Sequence, residues 1–155
     1  MKIELSLRQV EVLALELETP LLLNESTSVE DTIRAMREQG LGYALITAED
    51  RLAGIFTERD VFLSVVGDSE TLSQAVSGFM TCDPVTVAEN DPVWKVVIRM
   101  HEGGFRQVPV LDSQGRVVAC VRHKDIAQFM ANHFADQVLN LPPDPEQRAH
   151  SPEGG

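Results

Sequence analysis

The chain has 155 residues, of which 43% are hydrophobic and 24% charged, with a net charge of −11. That is enough for one domain with a real core, or two small units sharing one, and it is an ordinary globular composition. The acidic balance argues against general nucleic-acid binding, which needs a positive surface to displace counterions. No apolar run approaches the roughly 20 residues that span a bilayer, and Met1-Lys2-Ile3-Glu4 opens no signal peptide. A cytoplasmic protein with neither membrane nor nucleic-acid partners is therefore expected. Cys82 and Cys120 form no CxxC pair or metal spacing, so both are expected as reduced thiols serving as small apolar side chains.

In chain order, residues 1–19 carry Leu5, Val10, Leu13 and Leu17 at helical spacing, while Val10, Val12 and Ala14 alternate as in a strand. Pro20 ends this helix or lead-in. Leu21-Leu22-Leu23 is a short apolar run. Ser28 and Asp31 have capping-box spacing before Val29, Ile33 and Met36, one face of a helix that stops at Gly40. Tyr43 to Ile46 and Leu52 to Phe56 are two strands joined by a turn at Glu49-Asp50. A helix follows Thr57.

The second half restates these elements. Pro84 stands 64 residues after Pro20, and Val93, Val97 and Met100 stand 64 after Val29, Ile33 and Met36. Asp91-Pro92 predicts a helix start with proline at the first helical position, and Gly103-Gly104 closes that helix. Val108 to Leu111 and Val117 to Val121 are the paired strands. The offset of 65 at the last strand places one gained residue between the helix and the strand pair. A helix then runs from near Lys124 to about Leu139. Repetition on this scale sets the architecture: each half is too thin to bury its apolar faces alone, so the halves must pack together. The expected divisions are 1–19 lead-in, 20–75 first repeat, 76–139 second repeat and 140–155 a proline-rich disordered tail.

The two strand-to-helix junctions carry the chemistry. Gly54-Ile55-Phe56-Thr57-x-x-Asp60 has two readings. In one, Thr57 and Asp60 are a capping box worth about 1 kcal/mol. In the other, the same amides and dipole hold an anion, and the first-turn carboxylate chelates two adjacent hydroxyls, as acidic residues hold a ribose. Spacing alone does not separate them. In the second copy, Ala119-Cys120-Val121-Arg122-His123-Lys124-Asp125, cations stand at a helix N-terminus, where the macrodipole disfavours them. With Arg106 and Arg116 they form a basic cluster in an acidic protein, either an anion site or surface side chains offset by nearby carboxylates.

These residues carry a resemblance. Met80-Thr81-x-x-Pro84-Val85-Thr86-Val87, Gly104-Phe105-Arg106-Gln107-Val108-Pro109-Val110-Leu111-Asp112 with Gly115, and Gly54-Ile55-Phe56-Thr57-x-x-Asp60 resemble a tandem pair of CBS (cystathionine β-synthase) domains, a Bateman module, over about residues 10 to 138. The resemblance implies an α/β fold of two CBS repeats, each roughly β-α-β-β-α, related by a pseudo-two-fold axis and packed through their small sheets. It implies a homodimeric disc, no required cofactor, and an adenosyl ligand such as AMP, ADP, ATP or S-adenosylmethionine. Carried over, Thr57 meets phosphate and Asp60 ribose, while Ile55, Val85, Phe105, Arg106 and Pro109 complete that cleft. A second cleft would use Asp125 and Arg122 with Leu21, Tyr43 and Ala44. The chain departs from the family pattern where Ala44 stands for the proline seen as Pro109, Thr47 for Asp112, Ala119 for the motif glycine and Arg122 for the hydroxyl.

No P-loop, nucleophile elbow or dinucleotide fingerprint appears, and His101, His123, His133 and His150 have no zinc spacing. The histidines are expected on the surface, and Trp94 as a packing residue. The reading is a non-enzymatic nucleotide sensor acting on an unidentified protein partner. The alternatives are a dimeric scaffold with vestigial clefts, and a redox or metal role for the cysteines.

Overall fold

Each half opens with a strand that turns into a capped helix. In the computed structural model, which describes residues 7–139, β1 (Leu22–Asn24), α1 (Val29–Gln39), β2 (Tyr43–Ala48), β3 (Arg51–Thr57) and α2 (Glu58–Val65) form the first repeat. After β4 (Thr81–Cys82), the second repeat contains β5 (Val87–Ala88), α3 (Val93–Gly103), β6 (Gln107–Leu111), β7 (Val117–Arg122) and α4 (His123–Leu139). One sheet runs β1-β2-β3-β4 and the other β5-β6-β7. The first pair in each is parallel, because a helix crosses between its strands, and the others are antiparallel.

The caps follow the sequence with one correction. Ser28 Oγ accepts from the Asp31 amide at 3.1 Å, and Gly40 ends α1 at φ 63° in the left-handed region. In α3, Pro92 is not the first helical residue but the N-cap, at φ −72° and ψ 148°. Its extended backbone bridges to Glu11, and the first helical amide, on Val93, donates to Val10 O at 2.8 Å. Asp91 accepts from the Ala88 amide at 2.7 Å and pairs with Lys95 at 2.9 Å.

That bridge exposes an exchange of lead-in segments. Val12 N donates to Asp91 O and Val93 N to Val10 O; likewise Val76 N donates to Thr27 O and Val29 N to Gln74 O. The segment before each repeat therefore caps the opposite repeat's helix. The N-terminal stretch is neither one helix nor one strand. Residues 7–9 are helical, Glu11 bridges, and Val12–Ala14 make a tight turn. Leu7, Val12 and Leu15 are its buried side chains, while Leu13 is exposed; the spacing argument had favoured Leu13, and Leu5 lies outside the described residues, as does the segment 140–155.

The strand register also relocates the gained residue. Tyr43 pairs with Thr57 and Gln107 with Arg122, with a bulge after Ile46 and after Val110. The offset is thus still 64 at the first strand of each pair and becomes 65 only at the second. The extra residue lies in the hairpin turn, not before the strands. In the first repeat that turn is Glu49-Asp50, both at positive φ (49° and 62°). In the second it is longer, with Gly115 at φ 79° and Asp112 Oδ1 accepting from the Gln114 and Arg116 amides at 2.9 Å each. It follows that Leu45, not Ala44, is the counterpart of Pro109, and Ala48, not Thr47, that of Asp112.

Two apolar clusters make the core. One joins Leu21, Val29, Tyr43, Leu45, Ile55 and Phe56 to Cys120 of the second repeat, and the other joins Leu7, Val12 and Leu15 to Val93, Val108 and Val121. The first cluster thus draws on both repeats, and the second closes the second repeat with the N-terminal lead-in. Full burial of a residue such as Phe56 contributes on the order of 2–3 kcal/mol, so the shared core outweighs any single cap.

Candidate functional site

The first junction is held open by small residues and closed by one carboxylate. A Cβ on Gly54 would lie 2.5 Å from Met80 Sδ and 2.7 Å from Thr81 O, so only glycine lets β4 lie against β3. That pairing sets Thr81 opposite Ile55 and Cys82 opposite Gly54, and Asp83 N donates to Ala53 O at 3.3 Å as the chain runs on toward Val85. At its end, Thr57 and Asp60 form a capping box. The Thr57 amide donates to Asp60 Oδ2 at 2.8 Å, and the hydroxyl donates to the same oxygen at 3.1 Å. Glu58 N donates to Gly42 O at 3.1 Å. The cap is therefore real, but it uses one oxygen only. Among the described residues, Asp60 Oδ1 accepts no protein hydrogen bond.

The other residues expected at this cleft divide by burial. Val85 and Phe105 are exposed on the second repeat, at 37% and 39%. The Phe105 ring lies over Gly103, in the place a side chain there would take. Arg106 is exposed, and its carbonyl accepts from His123 N at 2.9 Å. Pro109 and Ile55 are buried in their sheets, so they shape the floor without offering surface.

The second junction has the same backbone and a different side chain. The Arg122 amide donates to Asp125 Oδ2 at 2.8 Å, as Thr57 does to Asp60. Its guanidinium then takes both carboxylate oxygens, Nε to Oδ2 at 3.1 Å and Nη2 to Oδ1 at 2.8 Å. Nη1 reaches Glu18 Oε2 at 3.3 Å. The bond from Asp125 raises the hold of Arg122 on its proton further above its ordinary value. Ala119, in place of the motif glycine, lines a cavity of about 280 Å³ with Leu17, Glu18, Pro20 and Val118. Among the described residues, no strand pairs with β7 there. A second cavity, of about 400 Å³, lies between Leu15, Glu18, Arg122, Asp125 and Phe129.

Leu21, Tyr43 and Ala44, expected on that cleft, are buried in the first core cluster. Tyr43 still reaches the junction, since its hydroxyl lies near enough to feel Cys120, Arg122 and Asp125. Burial pushes the Cys120 thiol up to about 12, and burial also raises Tyr43. Cys120 is thus an apolar core residue as expected, whereas Cys82 is exposed on β4, against expectation, because β4 is a sheet edge. Two members of the basic cluster are neutralised: Arg116 Nε pairs with Asp112 at 3.1 Å, and Arg122 is held as described. Trp94 packs on the second cluster with Arg8 5.0 Å above its ring. His101 and His123 are exposed, while His133 stacks on Phe129 at 5.8 Å. Among the described residues no group of His, Cys, Asp and Glu could hold a metal ion, and no helix is long and apolar enough to cross a membrane. Glu18 was missed by motif reading. Its one sequence signal is position, 64 residues before Cys82, the strand that lines the first junction.

Two β-α-β-β-α units with exchanged lead-ins and paired junctions define a tandem-repeat α/β fold. The model of the CBS domain family matches residues 15–67 and 76–132, and the chain belongs to that family. It is 35% identical over 105 residues to the CBS domain-containing protein CBSCBSPB1 of Arabidopsis thaliana, covering 65% of this chain and 19% of that one. It is 31% identical over 108 residues to the inosine-5'-monophosphate dehydrogenase of Korarchaeum cryptofilum, covering 70% of this chain and 22% of that one. The chain thus spans a minor part of these relatives. Among solved structures, the CBS domain pair of protein MJ0100, in complex with 5-methylthioadenosine and S-adenosyl-L-methionine, superposes with a TM-score of 0.72 at 23% identity, covering 80% of this chain and 98% of that one. A CBS domain protein from Pyrobaculum aerophilum complexed with AMP gives 0.72 at 22%, covering 82% and 99%.

Proposed function

We propose that the chain is a non-enzymatic regulatory module that binds an adenine nucleotide or other adenosyl ligand at the Thr57–Asp60 junction. The observation that carries this reading is the free Asp60 Oδ1. The cap consumes Oδ2, which orients the carboxylate, and Oδ1 is left to accept a ligand hydroxyl. Val85 and Phe105 supply exposed apolar surface for a base, and Arg106 a cation for phosphate. AMP, ADP, ATP and S-adenosylmethionine are the candidates, consistent with the ligands bound by the similar CBS pairs, and no cofactor is required. A ligand touching both repeats favours one mutual arrangement, by no more than its differential affinity for the two, and an unidentified protein partner reads the result.

Thermal melting tests this. One of the four adenosyl compounds at millimolar concentration should raise the melting temperature, and Asp60→Ala should abolish the rise while the far-UV spectrum is unchanged. No shift with any of them overturns the proposal.

A second reading, a dimeric scaffold with vestigial clefts, is favoured by α2. None of its residues is buried, and Phe62, Leu63 and Val66 at its C-terminal end are 67%, 68% and 69% exposed, an apolar patch of the kind that marks an association surface. Under either reading this face takes a second copy. Phe62→Asp with Leu63→Asp should reduce the mass measured by light scattering, and only the scaffold reading then accounts for all loss of function.

A further inference from the structure

The two repeats end in helices at matched positions that present different outer faces. In α2, Arg59, Phe62, Leu63 and Val66 recur at i, i+3, i+4 and i+7, which is one face of a helix, and all four are exposed. Phe62, Leu63 and Val66 are the most exposed large hydrophobic residues among those described. At the 65-residue offset that aligns β3 with β7, the same face of α4 reads Lys124, Ala127, Gln128 and Ala131, again all exposed. The cation that opens each face is kept. Phe62 and Val66 become alanines and Leu63 an amide, so α2 stands proud where α4 leaves room.

That contrast fixes how a second copy lies on the α2 face. The first core cluster joins the repeats through Cys120, so α2 and α4 are carried on one frame, and both contacts of a two-fold dimer must close together. Facing helices settle about 8–10 Å apart according to the side chains between them. Head-to-head, α2 meets α2 and crowds Phe62 and Leu63 against their own copies, while at the other end alanine faces alanine. Those two ends require different separations. Head-to-tail, each α2 meets the other copy's α4, large against small at both ends, and one separation serves both contacts. Charge points the same way. Residues 20–75 carry ten Asp and Glu against four Lys and Arg, and residues 76–139 carry seven against six. Head-to-head sets the acidic repeat against itself, whereas head-to-tail sets it against a nearly neutral one.

We propose that the chain pairs with a second copy head-to-tail, with Phe62, Leu63 and Val66 of each α2 seated against Ala127 and Ala131 of the other copy's α4. The orientation rests on the α2 face taking a second copy, and not on either junction binding a ligand.

Cysteine cross-linking tests it, in the full chain carrying Cys82→Ser, because Cys120 is buried and does not compete. Leu63→Cys and Ala127→Cys, both at exposed positions, are oxidised separately and as a mixture in which one carries a tag. The mixture should give a disulfide-linked dimer with one copy of each on a non-reducing gel, and neither variant alone should. Light scattering supplies an independent reading. Ala127→Phe sets a ring against Phe62 in the head-to-tail pair and should weaken dimerisation about tenfold, with an unchanged far-UV spectrum; a head-to-head pair would fill its gap and tighten. Leu63→Cys linking to itself, no link in the mixture, or undiminished association of Ala127→Phe would each overturn the orientation. A wild-type chain with the mass of a monomer would overturn the second copy itself.

Discussion

Two junctions with one backbone plan have been put to different uses. At Thr57–Asp60 a hydroxyl leaves half of the carboxylate free, and glycine at 54 admits β4. At Arg122–Asp125 a guanidinium takes the whole carboxylate, alanine at 119 stands in place of the glycine, and two cavities flank the lead-in. The difference teaches that duplication preserves the frame, which the shared core enforces, while the side chain that fills a junction decides whether it faces a ligand or the protein itself. Of the cations that looked unreasonable at a helix N-terminus, Arg122 is explained once its partners are seen, since Asp125 and Glu18 neutralise it.

The comparison can be tested in descending order of effect. The thiols should part most widely. With the Cys120 thiol at about 12, its thiolate near pH 8.5 is roughly a thousandfold scarcer than that of an ordinary cysteine. Iodoacetamide on the native protein should therefore modify Cys82 and leave Cys120 until unfolding, as mass spectrometry would report. Next, Arg122→Ala strands the buried Asp125 and should cost about 3 kcal/mol in urea unfolding, against about 1 kcal/mol for Thr57→Ala, which removes only a cap. An equal loss at both would erase the distinction drawn between them.

Exchanging the small residues should then be asymmetric. Gly54→Ala forces β4 away from β3 and is expected to cost about 2 kcal/mol, whereas Ala119→Gly should cost about 0.5–1 kcal/mol, an effect of backbone freedom alone. Acid should produce the mildest contrast. Burial acts to raise Asp91, but its bonds to Lys95 and the Ala88 amide win and lower it; Asp112 is lowered by the Arg116 amide first. A carboxyl lowered in the folded state adds stability above its unfolded value of about 3.9 and loses it as pH falls through the folded value. The matching positions in the first repeat are Thr27 and Ala48, which do not titrate. The fluorescence of Trp94, the single tryptophan, should thus report loosening of the second repeat below pH 4, and Asp112→Ala should reduce that pH dependence.

Much of this was legible in the chain itself. The repeat, the capped helices at Ser28 and Thr57, the glycine stops at Gly40 and Gly104, and both junctions follow from local rules, because caps, turns and alternation are read within a few residues. What only the tertiary structure decided involves residues far apart. The gained residue sits in the hairpin turn because strand pairing, not helix spacing, sets register. Pro92 is an N-cap because Val10 supplies the carbonyl its helix needs. The division between the junctions was decided the same way: Gly54 matters because Met80 and Thr81 pass over it, and Arg122 is satisfied because Glu18 lies across from it. Sequence determined where the two clefts are. The packing across the fold decided what surrounds each one, since a side chain's partner across the fold leaves no trace in its neighbours along the chain.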